Sequence, residues 1–167
     1  MAIRNIVKDG DPILRKKSRE VVNFDRRLHT LIDDMIATLE EANGLGIAAP
    51  QVGVLRRVVI VMDAEMKPIE LVNPEILSTE GENEGPEGCL SFPGMYGVVA
   101  RPTRVEVRAK NRYGKPFTAS GDGIVARAFC HEIDHLNGDL FVDKVIRYIT
   151  EEDSEEMREA EETGEQG

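Results

Sequence analysis

A chain of 167 residues, 41% hydrophobic and 31% charged, has the length of one domain and enough apolar side chains to close one core without disulfides or a structural metal. Its longest uninterrupted apolar run, Val58 to Met62, excludes a membrane-spanning helix, which needs roughly 20 such residues, and two cysteines, Cys89 and Cys130, make a disulfide framework a poor reading. The formal charge of −10 is unevenly spread: Glu151 to Gly167 holds nine acids against one base, Arg158, so this tail carries −8 and the body only −2, which excludes nucleic-acid binding through the tail.

In chain order, Phe24, Leu28, Leu31, Ile32, Met35, Ile36 and Leu39 recur at helical spacing and predict an N-terminal amphipathic helix over residues 24–42. Asp25 caps its start and Asn43-Gly44 ends it. Arg57 to Asp63 and Ile69 to Val72 are short β-branched runs that read as strands, the second closed by Asn73-Pro74. The glycines and prolines of residues 80–97 predict a long, mobile, functional loop. Between Thr103 and Lys110, Val105, Val107 and Ala109 alternate with charged residues, as in a strand with one wet face. Tyr113-Gly114-Lys115-Pro116 then turns the chain into a partner strand, Phe117 to Ser120. Ile124 to Asn137, free of glycine and proline and stopped by Gly138, is a second, largely buried helix. Helices and strands do not alternate as βαβ units, so the expected class is α+β: a single body over residues 1–149, mostly antiparallel, followed by a solvated acidic tail over 150–167.

The second helix carries His131-Glu132-Ile133-Asp134-His135. Four residues apart, the two histidines stand one turn above the other, so both imidazoles can reach one metal ion. Glu132 sits on the shoulder of that face and can take a proton from an attacking water without occupying a coordination position. Asp134 flanks the opposite side, and spacing alone leaves it open as the base, with Glu132 preferred for its longer reach. Asp134 is expected to be held by a cation such as Arg101 or Arg104 or to orient a ligand. A catalytic site of this kind wants a third protein ligand. Downstream, Asp139 and Asp143 do not fit the spacing of the zinc proteases, whereas upstream Cys89, in Glu87-Gly88-Cys89-Leu90-Ser91, offers a soft thiolate. Cys130 points about 100° from the metal face and reads as a small buried hydrophobe.

Gly44-Leu45-Gly46-Ile47-Ala48-Ala49-Pro50-Gln51 formally fits a dinucleotide fingerprint, but it follows a helix and runs into Pro50, so that reading is rejected. Its small residues suit the close approach of a peptide pairing as an added strand, and the Gln51 amide can donate to an oxyanion. His29, off the apolar stripe of the first helix, reads as solvated.

The three motifs GLGIAAPQ (44–51), EGCLS (87–91) and HEIDH (131–135), in this order, resemble those of the peptide deformylases, and the resemblance runs from Asp11-Pro12-Ile13-Leu14 to Val142-Asp143. It implies removal of the formyl group from the formyl-methionine of new polypeptides, by an α+β domain in which mostly antiparallel strands surround the H-E-x-x-H helix. By the same resemblance, Cys89, His131 and His135 hold the metal, typically Fe²⁺, with Zn²⁺, Ni²⁺ or Co²⁺ able to substitute, and Glu132 is the general base and acid. Gln51 and the Leu90 backbone N–H stabilise the oxyanion, Gly46 meets the substrate backbone, and Leu45, Glu87, Ile124 and the stem of Arg127 surround the methionine side chain. N-formyl-methionyl peptides are the expected partners, with transient approach to the ribosome, no membrane partner, and the cytoplasm as the setting. The basic C-terminal helix of some members is replaced here by acids. Two other readings keep the histidines but not the reaction. One is a zinc endopeptidase with a downstream carboxylate ligand; the other is a non-catalytic metal-binding or peptide-binding module using the GLGIAAPQ edge.

Overall fold

The computed structural model describes residues 1–150 together with Glu152, Asp153, Glu155, Glu156 and Glu159. The solvated tail expected over 150–167 therefore lies largely outside the described residues. The two main helices are α1 (Arg26–Glu41) and α2 (Gly123–Leu136). Eight strands accompany them: β1 (Gly46–Ala48), β2 (Val58–Met62), β3 (Pro68–Glu80), β4 (Asn83–Cys89), β5 (Phe92–Arg101), β6 (Arg104–Lys110), β7 (Pro116–Asp122) and β8 (Val145–Tyr148). They form a five-stranded sheet in the order β1-β2-β3-β6-β7 and a three-stranded sheet in the order β4-β5-β8, with every described pairing between named strands antiparallel.

The unbroken apolar run of β2 is explained by burial on both faces. Val58, Ile60 and Met62 pack with the α1 stripe of Leu28, Leu31, Ile32, Met35 and Leu39. Val59 and Val61 pack on the other side with Ala126, Phe129, Cys130, Ile133 and Leu136 of α2. Side chains alternate across a strand, so a strand lying between two helices must be apolar at every position. The sheet is thus sandwiched, and burial of each such Val or Ile contributes about 1.5–3 kcal/mol. A third cluster, Leu14, Phe92, Val99, Leu140 and Phe141, closes the space against the smaller sheet.

At the start of α1 the Asp25 carboxylate accepts from the Leu28 N–H at 3.1 Å, and the chain leaves the helix through Asn43 at φ 54°, as the cap and stop residues predict. Three expectations are corrected. The glycine-rich segment over 80–97 is not a loop but the β4–β5 hairpin, closed by a tight turn at Leu90-Ser91, because its backbone pairs strand to strand from Asn83↔Arg101 to Cys89↔Phe92 despite poor local propensity. Pro86 is tolerated there because β4 is an edge strand. Asn73-Pro74 does not end the second β-branched strand: β3 continues to Glu80 across a register shift between Val72 and Glu75. Asn73, at φ 51°, uses its side chain to hold both the N–H and the C=O of Val21. His29 is half-buried rather than solvated: Nε2 bonds the Arg112 carbonyl at 2.9 Å and the ring meets Tyr113 edge-on.

Candidate active site

Between the free edges of β1 and β4 lies a cleft of about 930 Å³. Every predicted site residue except His135 lines it, with His135 buried just behind. α2 places His131 and His135 one turn apart, their rings 5.1 Å between centroids, and β4 ends by delivering Cys89 to them. One ligand atom from each of Cys89, His131 and His135 lies within 4.8 Å of the others, with the Cys89 sulfur 3.3 Å from His135 Nε2.

The neighbours of this trio are ordered by charge. His131 Nδ1 donates to Glu87 Oε2 at 2.9 Å, which leaves Nε2 as the lone-pair nitrogen. Burial alone would raise the Glu87 pKa, but hydrogen bonds from His131 and Arg101 outweigh it and hold the carboxyl at about 2. Burial would likewise lower the His131 pKa, yet Glu132, Cys89 and Glu87 push it well above the ordinary imidazole range. Burial, with His131 alongside, pushes His135 well below that range. Burial also raises the Glu132 carboxyl to about 7, and Glu132 Oε1 has no hydrogen-bond partner among the described residues. One sulfur and two imidazoles converging beside a buried carboxylate with an unpartnered oxygen are a donor set that fits a divalent transition metal with a water to activate.

Gln51 is fixed at both ends of its amide. Oε1 accepts from the Ala48 N–H at 2.9 Å, while Nε2 donates to Ser91 Oγ at 3.1 Å and lies 3.5 Å from the Cys89 sulfur. Leu90, next to Cys89, occupies the hairpin turn. Gly46 sits against α2 so closely that a Cβ there would lie 2.7 Å from Glu132 Oε2. Leu45 and Ile124 expose apolar surface to the cleft. Glu87 also borders it, but its carboxylate turns inward to Arg101, Arg127 and His131. Arg127 spans the wall between Asn83, Glu87 and the Val99 carbonyl. Of the two cations expected near Asp134, Arg101 holds it at 2.7 Å, and Arg104 pairs with Asp122 instead. Sequence reasoning missed Ser91 as the anchor of Gln51, legible only as the last letter of EGCLS, and Lys144, which reaches Asp134 at 2.8 Å with no local signal.

Comparison with known proteins decides the family. The polypeptide deformylase family profile matches residues 3–151. The chain belongs to the polypeptide deformylases. It is 55% identical over 158 residues to the peptide deformylase of Caldicellulosiruptor bescii, covering 95% of each chain. The crystal structure of a peptide deformylase from Legionella pneumophila superposes with a TM-score of 0.83 at 45% identity, over 95% of this chain and 92% of that one. The Thermotoga maritima peptide deformylase gives 0.83 at 38% identity, over 87% and 99%. Like its family, this deformylase is a metal-dependent hydrolase that removes the N-formyl group from nascent peptides, and the endopeptidase alternative is not favoured. Among the described residues no helix is long and apolar enough to cross a membrane.

Proposed function

We propose that deformylation here is carried out by a divalent metal held by Cys89, His131 and His135, ferrous iron in the cell, with Zn²⁺, Ni²⁺ or Co²⁺ able to take its place. The observation that carries this reading is the convergence of one sulfur and two imidazoles within 4.8 Å, at a cleft floor shared with the buried Glu132. When bound, the metal would polarise the formyl carbonyl and make a water acidic near neutral pH. The rest of the chemistry belongs to the chain. The formyl-methionyl peptide pairs its backbone with the free edge of β1 at Gly46, and Leu45, Glu87, Ile124 and the stem of Arg127 surround the methionine side chain. Glu132 takes the proton of the water that attacks the formyl carbon and returns it to the leaving amine, releasing formate. The Gln51 amide, oriented by Ala48 and Ser91, and the Leu90 N–H donate to the oxyanion. Selectivity for the formyl group would follow from a site too tight beside the metal for a larger acyl group; Gly46 lies close against Glu132 and Gln51 close to Cys89. This work is done in the cytoplasm on chains emerging from the ribosome, without membrane or nucleic-acid contact through the acidic tail.

The test is anaerobic purification with metal analysis, followed by measurement of formate released from a formyl-methionyl peptide. One metal per chain with rapid release is expected. Absence of release after iron is restored overturns the reading.

A further inference from the structure

The structure assigns Arg101 a positioning role: it sets the spacing between Cys89 and the two histidines by bridging the strand that carries one to the helix that carries the others. This rests on the ligand assignment proposed above. Cys89 ends β4 in the three-stranded sheet, His131 and His135 lie on α2 against the five-stranded sheet, and the two sheets share no strand. Strand pairing therefore does not fix the distance from sulfur to imidazole. Residues 7–9 tie the hairpin turn to Gln51 through backbone bonds from the Asp9 N–H to the Ser91 carbonyl and from the Val7 N–H to the Gln51 carbonyl, and side chains tie the hairpin to α2.

Arg101, the last residue of β5 and 4% exposed, lies between the two units. Its Nε and Nη2 donate to the two Glu87 oxygens at 3.1 and 2.7 Å, while Nη1 donates to Asp134 Oδ2 at 2.7 Å. Glu87 stands two residues before Cys89 and accepts from His131; Asp134 is the neighbour of His135. One guanidinium thus grips a carboxylate next to each half of the ligand set, which a planar five-donor fork can do and an ammonium cannot. Arg127 ties α2 to Glu87 by a longer bond of 3.3 Å, and Lys144 remains on Asp134 at 2.8 Å, so neither carboxylate is stranded when the fork is lost.

The experiment is chelator competition for Zn²⁺ and Co²⁺ on the full chain, with the visible absorption of the Co²⁺ form and peptide kinetics at saturating metal. Arg101→Lys is expected to bind metal about ten- to hundred-fold more weakly, the loss usual for partners that orient metal ligands, and to shift the Co²⁺ bands. Its kcat should fall while KM stays within about two-fold. Glu87→Gln should show a similar affinity loss, and the Arg101→Lys/Glu87→Gln pair no more than the worse single change, because one residue acts through the other. Asp134→Asn, which leaves the Glu87 fork intact and keeps the idea testable if Arg101→Lys does not fold, should weaken binding about three- to ten-fold. Wild-type affinity in Arg101→Lys or in Asp134→Asn, or losses that add in the pair, overturns the role. Failure of the ligand assignment itself is distinguishable, since then Cys89→Ser would bind Zn²⁺ as tightly as the wild type.

Discussion

Adding a single methyl group at Gly46 probes Glu132, the proposed catalytic carboxylate, without touching it chemically. In Gly46→Ala the new Cβ would lie 2.7 Å from Glu132 Oε2, 2.8 Å from its Cγ and 3.0 Å from its Cδ, where ordinary contact begins at 3.4 Å. Either β1 or the carboxylate must therefore move by about 0.7 Å, and Glu132, 4% exposed, has no solvent to swing into. Overpacking of this kind costs about 1–3 kcal/mol, which a domain with a stability of roughly 5–15 kcal/mol survives. A displacement approaching 1 Å at a catalytic group costs about 100-fold in rate. The expected result is a folded, metal-loaded protein whose kcat for formate release falls by one to two orders of magnitude, roughly in line with that displacement. The assay is formate release beside circular dichroism and metal analysis on the same sample. A folded variant with near-wild-type kcat would show that Glu132 is not held where the chemistry needs it.

Glu132→Gln should retain its metal yet lose about 10²- to 10⁴-fold in turnover, as measured by the same formate assay; retained turnover would move the base to another group. Cys89→Ser should lose or alter metal binding in competition titrations, whereas a site built on a downstream carboxylate would not respond. Asp34 is held below the ordinary carboxyl range by the Ala2 N–H and by Arg4, so its contribution to stability is complete above about pH 4 and is lost as pH falls through the lowered value. Asp34→Asn should flatten the acid limb of the stability–pH curve, and an unchanged limb contradicts this. Phe129→Ala, at a fully buried side chain between α2 and the sheet, should cost about 3–5 kcal/mol in denaturant unfolding; a loss below about 1 kcal/mol would mean that the site collapses around the gap.

How much was legible depended on whether the information was local. The stripe from Leu28 to Leu39 and the alternation of Val105, Val107 and Ala109 are periodic patterns within one element, and both appear as α1 and β6. The segment Gly85-Pro86-Glu87-Gly88 has no such pattern; it becomes strand only because Val98 and Val99 lie opposite. β8 is also non-local, since Val145 to Tyr148 owe their conformation to pairing with β5. The spacing of His131 and His135 predicts their shared face because a helix enforces it. That Cys89 meets them follows from no helical spacing: its soft sulfur upstream made it a candidate third ligand, and the resemblance of three motifs assigned it to the trio, before the hairpin was seen. The orientation of Glu87 toward His131 rather than toward open solvent depends on Arg101, which is 14 residues away in sequence.

The division of the candidate ligands between two sheets bears on how the protein matures. A chain that has formed α2 but not yet docked the β4–β5 hairpin offers the two imidazoles without the Cys89 sulfur, a poorer trap for a transition-metal ion. Completing the candidate ligand set requires the hairpin to be docked on α2, so occupancy would be a signature that both halves have come together.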